Sequence, residues 1–378
     1  MPLLSRQRGP IAVYGATGYT GRLVVTELAD AGADFVVSGR SREKLDNLTK
    51  EINLDVPVQI ASVGDDDSLR KLLADCSVVI DCAGPFVRLG EPVLRAAVET
   101  STHYLDTTGE QPYMKMAFER YGPGAAEAKV AVIPAMGFDY APGDMLASLT
   151  AAAMGEVDEL ALAYAWKGFT PSQGTARTTL EILSGATVEW RNMEWRSPTG
   201  GFGRGSFDFP APIGRQRMVR YPAGEQITVP RHIPTRNVTT TMNAAAFASD
   251  RLAPIFAATM GPAGLLLRTP LKHAARAVIS RLPEGPTPEQ RERMRWMIVC
   301  KVRRGGHERS GVISGSDVYG FTAAAVAKGA MIAAKSGFNG KGALAPSQAF
   351  EPKDFLADLD RFDVRWQVRA RAPEPAEV

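Results

Sequence analysis

The sequence predicts an α/β fold with a doubly wound parallel sheet, on three observations. The apolar strand Ile11-Ala12-Val13-Tyr14 runs into the glycine-rich turn Gly15-Ala16-Thr17-Gly18-Tyr19-Thr20-Gly21 and then a helix with Leu23, Val24, Leu28 and Ala29 on one side. Strand-like and helix-like segments then alternate as far as residue 134. The run Ser77 to Cys82 is rich enough in β-branched residues to be a strand buried on both faces. Repeated βα units of this length argue for a parallel sheet covered by helices.

In order, Phe35 to Ser38 reads as the second strand, Arg42 to Glu51 as a helix and Val58 to Ala61 as the third strand. Asp65 to Leu73 is a helix whose acidic first turn suits the helix dipole. The strand at Ser77 to Cys82 stops at the turn Ala83-Gly84-Pro85-Phe86, and a helix over Pro92 to Val98 follows, with the proline opening it. His103 to Asp106 and Val130 to Pro134 are strands on either side of a helix over Ala117 to Ala128. Beyond residue 140 the texture changes. Leu160 to Trp166 alternates as a strand, Gly174 to Val188 reads as a helix, and Ser197 to Pro234 as strands with long loops. Residues 264 to 282 form a basic amphipathic helix with Arg268, Lys272 and Arg276 on one face. Trp296 to Arg303 is a strand, Phe321 to Lys335 an alanine-rich helix, and the acidic, proline-containing end is expected to be disordered.

The 378 residues suffice for two domains with separate cores. A hydrophobic content of 45% and a charged content of 22% are those of a soluble globular enzyme. The net charge of +3 is too small to argue for nucleic acid as a partner. Cys76, Cys82 and Cys300 lack CxxC spacing, suit a reducing cytoplasm, and offer no disulfide framework or metal site. No apolar run follows Arg6 and Arg8, so no signal peptide is expected, and no stretch is long enough to span a membrane. Ala244 to Leu267 comes nearest but is broken by Asp250, Arg251 and two prolines.

In an open α/β sheet, ligands bind outside the carboxyl ends of the strands. The turn at Gly15 to Gly21 presents backbone N–H groups and a helix N-terminus to a diphosphate, although the bare spacing also occurs in tight turns without a ligand. The second strand ends at Gly39-Arg40-Ser41 with no acid. A carboxylate there would repel the 2′-phosphate of NADP, whereas an Arg can fork onto it. NADP(H) is therefore the expected cofactor, held by Gly15, Thr17, Gly18, Tyr19, Thr20, Gly21, Arg40, Ser41, Ala83, Gly84, Pro85 and Gly109. Reduction of a polarised double bond also needs a proton donor. Tyr140, Glu110 and Asp139 are the candidates, each with a plainer alternative: Asp139 and Glu110 as helix caps, Tyr140 as a packed phenol. The Ser-x-x-x-Tyr-x-x-x-Lys arrangement of short-chain dehydrogenases is missing from the chain.

Taken together, Gly15 to Gly21, Ser38 to Ser41, Gly84-Pro85-Phe86, Thr108-Gly109-Glu110 and Gly137-Phe138-Asp139 resemble the saccharopine dehydrogenase-like oxidoreductases, most of all the actinobacterial trans-acting enoyl reductases. Lys167-Gly168-Phe169, Gly174-Thr175, Leu180-Glu181, Pro286 to Arg293 and Gly342 to Pro346 extend the resemblance over nearly the whole chain. It implies a Rossmann domain over residues 1–140 and a second α/β domain with a mixed sheet over 141–345 that shapes a substrate cleft and a homodimer. Residues 346–378 are then a helix returning to the first domain and a disordered tail. It also implies reduction of an activated C=C bond on a carrier-bound or CoA-bound acyl chain, with an acyl carrier protein as a partner. The saccharopine branch reduces an imine instead, but the cationic cluster it needs for several carboxylates is not evident. A third expectation is a non-catalytic NADP-binding protein that docks on a membrane or an assembly through the basic helix, whose plainer reading is the solvated face of a core-packed helix.

Overall fold

The computed structural model describes residues 9–198, 205–244 and 271–371. Arg268, the Ala244 to Leu267 stretch beyond its first residue, and the acidic end lie outside them. The chain divides into two compact units, Met1–Phe138 with Tyr319–Ala349, and Asp139–Val318 with Phe350–Val378.

The first unit is a seven-stranded, wholly parallel sheet. Its strands are β1 (Ile11–Tyr14), β2 (Phe35–Gly39), β3 (Val58–Ile60), β4 (Val78–Asp81), β5 (His103–Asp106), β6 (Ala131–Ile133) and a two-residue edge, Gly342–Ala343. From that edge they lie in the order edge, β6, β5, β4, β1, β2, β3. The order reverses at β1, which pairs with both β2 and β4, so Tyr14 lies opposite Ser38 and Asp81. A crevice opens at such a reversal because the two flanking connections leave on opposite faces. β1, β2 and β4 are buried along their whole length, as their continuous apolar runs require.

Helices α1 (Tyr19–Asp30), α2 (Arg42–Glu51), α3 (Asp66–Leu73) and α4 (Phe86–Glu99) follow the first four strands. The Asp65 carboxylate caps α3 by accepting from the Ser68 N–H at 3.1 Å. α4 differs from the sequence expectation: it starts at Phe86, six residues early, and carries Pro92 inside it. A proline looks like a helix start when only neighbours in sequence are considered. Here a carboxylate from another turn caps the upstream N–H groups and lets the helix begin sooner. Likewise the helix expected over Ala117 to Ala128 is longer, formed by α5 (Gln111–Met116), a π-turn at Ala117–Tyr121 and α6 (Gly122–Glu127).

The second unit is a mixed sheet. Its strands are β7 (Val157–Lys167), β8 (Glu189–Arg191), β9 (Glu194–Arg196), β10 (Gly205–Asp208), β11 (Arg215–Arg220), β12 (Thr235–Asn243), β13 (Arg295–Arg304), β14 (His307–Ser316) and the edge strand Arg365–Arg371. β7 and β12 are parallel; β13 pairs antiparallel with β7 and β14, and the edge strand antiparallel with β14. Helix α7 (Ala141–Ala151) lies on one face against β13 and β14. Gly311 on β14 permits this approach, since a Cβ there would meet the Thr150 hydroxyl and the Leu146 side chain. On the other face Phe209 and Ile213 cover Ala163, Ala165, Met297 and Val299.

Two expectations change. The domain boundary does not fall at residue 345: the helix Val318–Ala333 and the Gly342–Ala343 edge belong with the first sheet, and the chain from Phe350 onward belongs with the second unit. The end is therefore not a helix returning to the first domain. Arg365–Arg371 alternates half-buried Trp366 and Val368 with exposed Arg365, Gln367 and Arg369, a period of two that suits an edge strand. In the basic helix, described over Leu271–Ile279, Lys272 and Arg276 are both tied to Glu181 of α8 (Gln173–Ser184) at 2.6 Å. The single Glu181 carboxylate thus offsets one of these two positive charges. No helix among the described residues is long and apolar enough to cross a membrane.

Candidate functional site

The turn after β1 is built on three glycines with different tasks. Gly15 has φ of +78° and packs on the turn after β4; a Cβ there would sit 3.0 Å from the Ala83 nitrogen. Only glycine meets both demands. Gly21, in the first turn of α1, lies so close to the Gly15 carbonyl that a Cβ would overlap it. Gly18 is exposed, and a Cβ there would approach only the Gly15 oxygen, at 3.3 Å. The protein's own packing thus requires Gly15 and Gly21, while Gly18 keeps a backbone cradle open. As N-cap of α1, Gly18 has no side chain to accept from the first-turn N–H groups. Those groups and the dipole behind them are an anion site for a diphosphate. Thr17 and Thr20 are half-buried beside the cradle, and the Tyr19 ring meets Tyr319 edge-on at 5.2 Å.

At the end of β2, Arg40 is exposed and makes no ion pair with a described residue. Its guanidinium is available to a 2′-phosphate. Ser41 is partly committed: its hydroxyl caps α2 by accepting from the Lys44 N–H at 3.4 Å.

Beneath this crest lie two buried carboxyls, Asp81 and Asp106, side by side at the ends of β4 and β5. Asp81 accepts from the Ala83 N–H at 2.8 Å and from the Tyr104 hydroxyl at 3.2 Å. Asp106 accepts from the N–H groups of Thr108 and Ala135, both at 2.9 Å. Together they shape the turns after β4, β5 and β6. Burial pushes Asp106 up to about 7, against the pull of those N–H groups. Burial, and then the Asp106 charge, push Asp81 well above the usual carboxylate range. Glu110, also buried, accepts from Phe86 N–H at 3.0 Å and Val87 N–H at 2.8 Å. Each oxygen is engaged by the N-terminus of α4, which accounts for the early start of that helix.

The second unit has its own buried constellation at the N-terminus of α7. Tyr140 is the N-cap residue, fully buried, and its hydroxyl is hydrogen-bonded to Tyr221. Burial and then the neighbouring Tyr221 hold the Tyr140 phenol well above its ordinary value, so it is neutral and keeps its proton. One turn on, buried Asp144 pairs with His232 Nε2 at 2.8 Å. Tyr164 of β7 donates to Glu225, the first residue of α9 (Glu225–Thr228). Gly143 makes room for this pair, since a Cβ there would collide with both the Glu225 Oε1 and the Tyr164 hydroxyl. Burial raises Glu225 to about 8 and Asp139 to about 6. Glu225 therefore holds a proton over most of the neutral range.

Residues 11–133 match the family model of the saccharopine dehydrogenase NADP binding domain. That segment belongs to the family. Its cofactor is NADP(H), and the open Gly18 cradle and the unpaired Arg40 fit that ligand. A lipid droplet localized protein of Caenorhabditis elegans is 32% identical over 198 residues, 48% of this chain and 46% of that protein. A saccharopine dehydrogenase-like oxidoreductase of Homo sapiens is 31% identical over 152 residues, 36% of this chain and 35% of its own. A Mycobacterium tuberculosis protein described as a trans-acting enoyl reductase is 32% identical over 188 residues, 47% and 45% of the two chains. The alignments span under half of each of these relatives. The structure superposes on saccharopine dehydrogenase (L-Glu forming) of Saccharomyces cerevisiae with a TM-score of 0.61 and 14% identity, covering 96% of this chain and all of that one. That likeness establishes a saccharopine dehydrogenase-type fold.

Within that fold, Gly15, Thr17, Gly18, Tyr19, Thr20, Gly21, Arg40, Ser41, Ala83, Gly84, Pro85 and Gly109 all lie in the first unit, on the turns after β1, β2, β4 and β5 and in the first turn of α1. Of the three catalytic candidates, Glu110 belongs to the first unit and caps a helix, whereas Asp139 and Tyr140 open the second unit. Sequence reasoning missed Tyr164, Tyr221, Glu225 and His232, which come from a strand, a loop, the short helix α9 and the turn that follows it. One signal was present: Glu225 is an acid in the otherwise uncharged run Ala223 to Val229.

Proposed function

We propose that this chain is an NADPH-dependent reductase of a C=C bond conjugated to a carbonyl, acting on an acyl thioester. The observation that carries this reading is the buried Tyr140–Tyr221 phenol pair at the N-terminus of α7. Bound NADPH would supply the hydride for the β carbon. Tyr140 would give its hydroxyl proton to the α carbon, a task for a neutral phenol held in place. The groups that act on Tyr140, namely Tyr221, Asp139 and Glu225, include no cation to receive the carboxylates of an amino-acid adduct, and this favours C=C over C=N reduction. The relationship to a protein described as a trans-acting enoyl reductase supports the same substrate class. A cytoplasmic homodimer serving a carrier-bound chain, as in polyketide assembly, is the setting we propose.

Incubation of the protein with NADPH and a panel of α,β-unsaturated thioesters, alongside imines of amino acids, tests the assignment. Coenzyme oxidation with the thioesters is expected. Reduction of the imines alone would overturn it.

A further inference from the structure

The segment that joins the helix Val318–Ala333 to the Gly342–Ala343 edge lies outside the coenzyme turns. With the residues on either side of it, this segment forms an open cavity of about 660 Å³, inside the size range of small-molecule sites. Every residue that lines the cavity belongs to the first unit. Its apolar lining is Ile332, Phe338 and Leu344, all half-buried. Lys335 and Lys341 are exposed at its rim.

Two features separate this cavity from an ordinary solvated surface. The first is its charge. Neither lysine makes an ion pair with a described residue, and no described residue of the lining carries a carboxylate. Elsewhere on the chain lysines find acids: Lys115 pairs with Glu119, and Lys272 with Glu181. The preceding helix ends nearby, but its dipole places only about half a negative charge there, against two full positive charges. The N–H groups of Ala334 and Lys335 also close onto the Ala330 and Ile332 carbonyls, which leaves fewer bare oxygens at that end. The second feature is a lining held in place before any ligand arrives. The Phe338 ring meets His103 of β5 edge-on at 5.3 Å, and His103 Nδ1 accepts the Ala131 N–H at 2.9 Å. Gly340 lets the lining close on bare backbone, since a Cβ there would lie 2.5 Å from the Phe338 ring and 3.2 Å from the Leu344 side chain.

These features select a ligand by exclusion. Two unpaired ammonium groups repel a cation. A small inorganic anion would meet only exposed lysines, whose ion pairs are worth little, and would leave the apolar lining wet. An anionic head on an alkyl chain uses both parts, and the lysine methylene stems can lie along the chain while the ammonium groups reach the head. We propose that this cavity binds an amphipathic anion, a carboxylate or phosphate head on an alkyl chain, with the head at Lys335 and Lys341 and the chain against Ile332, Phe338 and Leu344. The site is independent of the reductase reading, because it lies wholly within the first unit and takes part in no step of the reaction.

Calorimetric titration of the full chain with decanoate and with decyl phosphate, each below its micelle concentration, tests the site. One equivalent should bind. Affinity should rise from hexanoate to decanoate by up to about fourfold for each added methylene, the gain expected from burying one CH₂ group. Added salt should weaken binding, because the lysines are exposed. The double variant Lys335→Gln, Lys341→Gln should lose about tenfold in affinity for both ligands. Both positions are exposed, so this variant should keep the wild-type melting temperature. Inorganic phosphate should bind far more weakly than decyl phosphate, and decyltrimethylammonium should not bind. Equal affinity for either of these controls overturns the proposal, as does unchanged affinity in the double variant or a flat response to chain length. Vesicles of phosphatidylcholine and phosphatidic acid separate a free amphiphile from a headgroup in a bilayer: capture by the vesicles without binding of either monomer also overturns it. None of these readouts uses coenzyme oxidation, so failure of the reductase assignment leaves them intact.

Discussion

Arg40 shows how a single side chain sets coenzyme choice. It stands exposed at the end of β2 and makes no ion pair with a described residue, so a 2′-phosphate displaces no such pair to reach it. Charge-assisted hydrogen bonds of this kind are worth about 1.5–3 kcal/mol, or about a tenfold to hundredfold effect on affinity. Arg40→Ala should therefore weaken NADPH binding by about that factor and leave NADH binding unchanged, as read by titration of coenzyme fluorescence. Glu110 illustrates the reverse. Its oxygens accept from Phe86 and Val87, so Glu110→Gln should cost stability on the order of 1–3 kcal/mol in denaturant melts. The pH profile of turnover should stay where it was; a displaced profile would restore Glu110 as a proton donor.

At the scale of elements, the turn after β1 separates packing from binding. Gly21→Ala places a Cβ against the Gly15 carbonyl, where backbone must shift, so the melting temperature should fall and NADP binding should go with it. Gly18→Ala meets only one atom, at 3.3 Å. That variant should keep its melting temperature and lose affinity, because the added methyl group stands where the diphosphate approaches. Equal melting losses in both variants would contradict the division of roles. Element identity was legible wherever local pattern and burial agreed: α2 over Arg42–Glu51 and β5 over His103–Asp106 were read as they stand. The start of α4 was not, because its cap comes from Glu110, 24 residues away in sequence from Phe86.

At the scale of the whole molecule, buried acids tie stability to pH. Glu225 at about 8, Asp106 at about 7 and Asp139 at about 6 all lie above their unfolded values near 4. A raised carboxyl binds its proton more tightly in the folded state. Its stabilising effect is complete below the unfolded value and is lost as pH rises through the folded one. Stability should therefore decline from about pH 4.5 toward 8, by at most about 1.4 kcal/mol per pH unit for each group. Glu225→Gln lacks one of these protons, so its melting temperature should gain on that of the wild type as pH is raised across that window. A constant difference between the two would mean that Glu225 is ionised in the folded protein.

What the amino-acid sequence determined alone was whatever depends on neighbours along the chain. It set the strand–turn–helix at Gly15 to Gly21, the cation closing the second strand, and the alternation that makes a doubly wound sheet, because periodicity and turn chemistry are local. Tertiary structure decided the rest. It sent Arg365–Arg371 to the edge of the second sheet, tied Lys272 and Arg276 to Glu181, committed Glu110 to a helix end, and gathered Tyr140, Tyr164, Glu225 and His232 into one cluster. The physical reason is that desolvation and hydrogen-bond partners act between residues far apart in sequence, and those forces raise the Glu225 carboxyl far above the ordinary carboxylate range.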